Sequence, residues 1–192
     1  DDVQELLRLL HSERSLKNLR EAFNSPHDLE EFADRAKFVV HEQGERVIKQ
    51  GDKGSSFFIV LSGQLRAVDV SGPRPRLLGY FSAGAIVGER ALLHNRIRTA
   101  TVEVVIMAKL AWFDEDDWYW LIGRNSRFQG CFENLEASRI KQSSVEFPGR
   151  QYDEVVVAST KRHFTAFIAT LPLPLTLLIG PILFFLAAQL IG

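Results

Sequence analysis

V-G-E-R-A-L-L-H-N-R-I-R-T-A-T-V, residues Val87 to Val102, sets an acid and an arginine nine residues apart around one short helical turn. Gly88 lets the backbone approach a ligand closely, and Glu89 leads into the run Ala91–Leu93, whose unpaired N–H groups attract an anion. Arg98 arrives where a β-branched, apolar strand is expected to begin, over Thr99 to Ile106. Its planar, five-donor fork suits bidentate contact with a phosphate far better than a lysine would. An ionised Glu89 is acceptor-only, so beside a bound phosphate its role is to accept from ligand hydroxyls such as a ribose 2′-OH. One group reads charge and the other reads sugar.

Upstream, Gly44 to Leu65 reads G-E-R-V-I-K-Q-G-D-K-G-S-S-F-F-I-V-L-S-G-Q-L. Taken in order, the two motifs closely resemble those of cyclic nucleotide-binding domains. The first is similar to that family's glycine-punctuated hairpin region, with Gly51, Gly54 and Gly63 at its turn positions. The second resembles its phosphate-binding cassette. The likeness runs in register from Asp28 to Gln142 and implies an α+β fold, an antiparallel β-roll flanked by N- and C-terminal helices. By position, it implies that Gly88 and Glu89 contact the ribose of a cyclic nucleotide. Backbone N–H groups around Ala91, together with Arg98, would hold the cyclic phosphate. Thr99 would help choose the base, and a hydroxyl residue there favours cGMP over cAMP. Three positions depart from the family pattern: Val87 replaces the usual aromatic, Ile97 stands where proline is common, and Arg90 occupies a normally aliphatic place. Arg90 is expected either to reach the phosphate as a second cation or to face solvent or a partner surface.

The other end of the chain carries a different signal. From Phe164 to Gly192 there is no charged residue, and about 20 apolar residues suffice to cross a bilayer as a helix. A fully helical run here would be roughly 43 Å long at about 1.5 Å per residue, enough for one span and too short for two. Pro172, Pro174 and Gly180-Pro181 would kink it or break it. The expectation is a transmembrane helix, with a kinked, re-entrant hairpin as the alternative. Lys161, Arg162 and His163 precede the run, so the positive-inside tendency places the N-terminal domain on the cytoplasmic side of a membrane. Over a short stretch, Asp153 to Leu190 is also similar to the lead-in of membrane-anchored bacterial pleckstrin-homology-like proteins. That similarity implies a chain continuing beyond Gly192, and a start at Asp1 without Met fits a piece of a longer product.

Between these signals the organisation is legible from spacing. Leu6, Leu7, Leu9, Leu10, Leu16 and Leu19 suit amphipathic helices, giving an N-terminal helical segment over residues 1–24. Ser25-Pro26 is a helix start, with Leu29, Phe32 and Ala33 as its apolar stripe. From Lys37 to Phe113, short β-branched or aromatic runs alternate with glycines, and Ser71-Gly72-Pro73 marks a turn; this reads as the β-roll. Asp114 to Gln142 returns to helical spacing, its Asp114–Asp117 acids set against the helix macrodipole and Trp118, Trp120 and Phe128 reading as packing. The cyclic nucleotide-binding-like domain is therefore expected over 25–142, a linker containing Pro148 and Gly149 over 143–163, and the transmembrane segment over 164–192. By resemblance, the final helix, Phe132 to Gln142, would fold over the base as a lid.

Composition narrows the function classes. The 192 residues carry a formal net charge of −1, which gives no reason to expect nucleic acid as a partner. The lone Cys131 excludes a disulfide within the chain and reads as a core residue. Asp1 to Leu10 is an acidic amphipathic start, unlike a signal peptide. The five histidines are scattered, without metal-ligand spacing, and no nucleophile motif accompanies them, so neither an enzyme, a metal nor a cofactor is expected. His94, near the cassette, reads as a solvent-facing turn residue.

The reading that follows is a membrane-anchored cyclic nucleotide sensor that regulates a membrane part or partner. Its partners would be a cyclic nucleotide, membrane lipid, and other membrane protein subunits or further copies of itself. The alternative is an accessory or structural subunit of a larger membrane complex, with a degenerate, non-binding version of the fold; Arg90 and Ile97 support it. A transcription factor of the catabolite activator type is disfavoured, because an apolar run stands where the DNA-reading helix-turn-helix would follow and no basic patch is present.

Overall fold

Leucines at helical intervals fold the start of the chain into α1 (Asp2–Ser12), a 3₁₀ turn (Arg14–Leu16) and α2 (Lys17–Ala22), burying Leu6, Leu10, Leu16 and Leu19. A computed structural model describes residues 2–94 and 97–143 of the chain. Ser25 caps α3 (Pro26–Asp34): its hydroxyl oxygen accepts from the Asp28 N–H at 3.1 Å, and Pro26 takes the first helical position, where a missing N–H is harmless.

The β-branched and aromatic runs then form β1 (Lys37–His41), β2 (Arg46–Ile48), β3 (Ser56–Asp69), β4 (Arg76–Phe81), β5 (Ile86–Val87) and β6 (Thr101–Asp114). The pairings among them are antiparallel; the main path runs β1-β6-β3-β4, with β2 on β6 and β5 on β3. A short helix, α4 (Arg90–Leu93), lies between β5 and β6, and α5 (Glu115–Arg124) and α6 (Arg127–Ser143) complete the described residues.

Two long strands, β3 and β6, serve two separate cores. On β3, Phe57, Ile59 and Leu61 face the helices while Phe58 and Val60 line the interior of the roll. The pairing register with β6 then slips between Val60 and Leu65, after which odd-numbered Leu65 and Ala67 point into the roll. Side chains alternate along a strand, so the bulge exchanges the two faces and bends the sheet. Gly63 makes the bulge possible: its φ is 85°, and a Cβ there would lie 2.2 Å from the Met107 carbonyl oxygen.

The helix-side core is a stack of rings. Phe113 lies between Phe32 and Phe57, with centroids 4.4 Å and 4.9 Å away, and Phe132 seats α6 against Phe57 at 5.6 Å and Trp118 at 4.8 Å. Trp118 and Phe128 are buried as the spacing suggested. Trp120, half-buried, packs against this core as well and lies between the Arg35 and Arg124 guanidiniums, 5.0 Å and 4.8 Å from its ring centre. The D-E-D-D stretch opens α5 with a capping box, in which Asp114 accepts from the Asp116 and Asp117 N–H groups and Asp117 accepts from that of Asp114.

Several boundaries differ from the expectation. The strand after the cassette starts at Thr101, two residues later than expected, because the backbone at Arg98 bonds to the turn at Gly51 and Asp52 rather than to a sheet neighbour. Cys131 is half-buried on α6 instead of central: its thiol donates to the Asn18 carbonyl at 3.3 Å, and burial pushes its pKa up. The last helix begins at Arg127 rather than Phe132 and takes in Ser143, the first residue of the expected linker. The remaining linker (144–163), the apolar run (164–192) and the 153–190 similarity lie outside the described residues. Among the described residues, no helix is long and apolar enough to cross a membrane.

Candidate functional site

The glycine-rich turn after β2 builds the site by gripping the backbone of Arg98. Gly51, at a φ of 89°, donates its N–H to the Arg98 carbonyl at 2.9 Å, and the Arg98 N–H donates to the Asp52 carbonyl at 2.8 Å. Lys53 forms an isolated bridge with Ile97. The next glycine clears space for the side chain: a Cβ on Gly54 would lie 2.3 Å from Arg98 Nε and 2.6 Å from the Ala91 Cβ. Gly88, at a φ of 90°, does the same from the cassette side, where a Cβ would lie 2.6 Å from Arg98 Nη1.

The guanidinium so enclosed is only 8% exposed. Its Nη1 donates to the Ser56 and Gly88 carbonyls at 2.9 Å and 2.7 Å, and its Nη2 to the Ser56 hydroxyl at 3.0 Å. Burial lowers the Arg98 pKa, while the negative charge of Glu89 acts in the opposite direction. An arginine stays charged in any case.

Glu89, 1% exposed, sits at the head of α4 and accepts from Arg139 Nη1 at 2.5 Å. Arg139 reaches in from α6; its Nη2 donates to the Ile86 carbonyl and its guanidinium lies 4.9 Å from the Phe81 ring centre. Ala91 is buried against Gly54, with its N–H facing the Gly88 carbonyl at a long 3.4 Å. Thr99 is exposed next to Arg98. The fold thus draws Gly88, Glu89, Ala91 and Arg98 around Gly54 and Ser56, and leaves Thr99 at the rim.

The departures from the family pattern acquire local reasons. Arg90 does not stand free: its Nε donates to Glu136 Oε1 at 2.7 Å, so the charge at a normally aliphatic place answers a carboxylate on α6. His94, exposed as expected, is nonetheless held, with Nε2 2.7 Å from Glu136 Oε2. Burial works against the Glu136 carboxylate, yet the His94 hydrogen bond and the Arg90 charge bring its pKa below the ordinary value. Val87, 2% exposed, pairs with Phe58 inside the sheet, where a small β-branched residue fits. Ile97 is 44% exposed beside Lys53, so no buried contact demands proline there.

Three participants were missed in the sequence. Ser56 lies within the hairpin motif, but nothing in its spacing marks it as a holder of Arg98. Glu136 and Arg139 did carry a signal: residues three apart share one face of a helix, and this pair turns opposite charges toward the cassette.

Residues 38–125 match the family model described as the cyclic nucleotide-binding domain. The chain contains a cyclic nucleotide-binding domain. That domain is 33% identical over 94 residues to the cAMP-dependent protein kinase regulatory subunit of Schizosaccharomyces pombe, a match covering 49% of this chain and 22% of the relative. It is 32% identical over 138 residues to the cGMP-dependent protein kinase of Eimeria tenella, covering 72% of this chain and 12% of the kinase. The matched stretches are therefore a minor part of these longer relatives. Among solved structures, the regulatory domain of Toxoplasma gondii PKA with cAMP aligns with a TM-score of 0.62 and 22% identity, covering 71% of this chain and 50% of that one. The catabolite activator protein of Thermus thermophilus aligns at 0.57 with 24% identity, covering 70% and 59%. At these identities the structural likeness speaks for the fold. Glu136 and Arg139 lie beyond the segment matched to the cyclic nucleotide-binding domain.

Proposed function

We propose that the chain is a membrane-anchored cyclic nucleotide sensor. The observation that carries the binding role is the Arg98 guanidinium, held in the room that Gly54 and Gly88 leave for it, with Glu89, nine residues earlier in sequence, buried at the head of α4. Arg98 takes the cyclic phosphate and Glu89 accepts from the ribose 2′-OH, the division of labour their chemistry allows. Thr99, exposed next to Arg98, meets the base in this reading and favours cGMP. The uncharged run from Phe164 to Gly192 anchors the chain, with the binding domain on the cytoplasmic side, and α6 is the element through which occupancy is passed on to membrane partners or to further copies of the chain. Coupling of this kind typically amounts to about 1–3 kcal/mol between sites.

The test is calorimetric titration of the full chain, in mild detergent, with cGMP, cAMP, cCMP and cUMP. The expected result is micromolar binding of one of them, with cGMP tightest. Silence from all four, in a folded sample, would move the assignment to an accessory subunit whose fold is kept for its surface.

Gly54→Ala probes the same site without removing a charged group. The added methyl cannot be absorbed by Ala91, so the guanidinium must shift, and affinity is expected to fall about fivefold, from the low end of the roughly 1–3 kcal/mol range for overpacking. Isothermal titration of that variant, beside a circular dichroism check of folding, decides it; unchanged affinity would mean that the Arg98 position does not matter.

A further inference from the structure

α6 is fastened to the cassette by two clasps. In one, Arg139 donates to Glu89 and to the Ile86 carbonyl. In the other, Glu136 of α6 receives two groups from the cassette side: Arg90 Nε donates to Oε1 at 2.7 Å, and His94 Nε2 lies 2.7 Å from Oε2. This second clasp contains a histidine, a side chain whose charge changes near neutral pH. Burial works against an ionised Glu136, yet the His94 bond and the Arg90 charge bring its pKa below the ordinary value, so it is a carboxylate and can only accept. Nε2 therefore carries a hydrogen whenever the bond exists, and the proton that comes and goes is the one on Nδ1. The His94 side chain is 59% exposed, so water reaches the ring, whereas that of Glu136 is 11% exposed and has little water to make up for a weakened partner. Arg90 faces the same carboxylate from α4 and opposes a second positive charge there, but it is seated on the other oxygen. The adjoining turns of α6 bring Arg139, which is paired with Glu89, and Glu133, which accepts from Gln129 at 2.9 Å.

We propose that His94 is a pH-sensitive latch between the cassette and α6: with Nδ1 protonated it grips Glu136 as a cation, and with Nδ1 bare it holds the same carboxylate as a neutral donor. A hydrogen bond between two ions is the stronger of these. The sign follows by linkage. Seating of α6 favours the protonated ring, so the helix is held most firmly below the histidine range, about pH 6.5 for an unpaired ring, and less firmly as pH rises through it. Arg90 keeps the clasp from opening at the alkaline end, because a guanidinium does not lose its charge. The latch is a property of the fold and needs no ligand. Its consequence for the sensor rests on the reading that the pocket takes a cyclic nucleotide. In that reading the seated helix is the lid, so acidification tightens nucleotide binding by the factor it gains in seating, and by reciprocity the nucleotide draws a proton onto His94.

The experiment compares wild type, His94→Gln and Glu136→Gln, as full chains in mild detergent and without nucleotide, by amide hydrogen exchange over residues 131–139 from about pH 5 to 8, corrected for the intrinsic pH dependence of exchange. In wild type, protection of α6 is expected to be about twofold to fivefold higher at the acid end, the range that partly exposed ion pairs give. His94→Gln, whose amide still donates to Glu136 and never ionises, should lose that difference while keeping the helix seated. Glu136→Gln should lose it as well, with weaker protection throughout. Equal protection at both ends in wild type, or a difference that persists in His94→Gln or Glu136→Gln, overturns the latch. Titration with cGMP and cAMP at both ends then separates the latch from the sensor. Tighter binding at the acid end in wild type, absent from His94→Gln, upholds their link, and equal affinity at both ends breaks it. Absence of binding at either pH, in a chain whose α6 responds to pH through His94, removes the sensor and leaves the latch standing.

Discussion

Arg98→Ala is expected to lower cyclic nucleotide affinity by at least about tenfold, since charge-assisted hydrogen bonds contribute about 1.5–3 kcal/mol each. The fold is arranged around this side chain from several directions. Its backbone is gripped from both directions by the turn at Gly51 and Asp52. Two glycines stand where any Cβ would collide with the guanidinium. Few arrangements would bury an arginine among carbonyls merely for packing, because the desolvation is costly and a leucine would fill the space. Arg98→Lys separates charge from shape. It retains the positive charge and loses the planar fork, so its affinity should lie between wild type and alanine. Both variants also leave the Ser56 and Gly88 carbonyls short of a donor, so thermal unfolding must accompany the titration. A folded Arg98→Ala protein with unchanged affinity would remove the phosphate from this site altogether.

How far the sequence goes toward this picture depends on the range of the interaction. The cassette is legible because its parts are local: Gly88, Glu89, Ala91 and Arg98 fall within one short segment, and each residue type has a distinct chemical use there. The capping of α3 by Ser25 and of α5 by Asp114 is legible for the same reason. The exchange of faces along β3 is not, since it depends on a bulge that pairs Gly63 against a bend in β6 more than forty residues away. Nor is the fate of Arg90. An arginine at an aliphatic position has no sequence neighbour to explain it, and its partner, Glu136, arrives from a helix on the far side of β6 in the chain. Cys131 shows the limit of periodicity: apolar spacing places it on the inward side of α6, and only the packing of α2 decides that it stays half-buried.

Phe57→Ala is expected to cost about 3–5 kcal/mol of folding stability, the usual range for emptying a large aromatic site. Against a total of about 5–15 kcal/mol for a domain, that is a large fraction. Phe57 is fully buried, stacked on Phe113 at 4.9 Å and met edge-on by Trp118 at 6.1 Å and Phe132 at 5.6 Å. These neighbours come from β6, α5 and α6, so they cannot all move in to fill the space. The substitution also reaches the site, since Ser56, which holds the Arg98 guanidinium, is the adjacent residue, and Phe132 carries the helix that bears Arg139. Urea unfolding followed by tryptophan fluorescence measures the loss, and Val40→Ala, at a side chain 60% exposed, supplies the contrast with an expected change near zero. A loss below about 1 kcal/mol for Phe57→Ala would mean that the ring stack can collapse around the missing side chain. The stack would then not be what couples the roll to α6, and the two clasps at Glu89 and Glu136 would have to hold that helix largely by themselves.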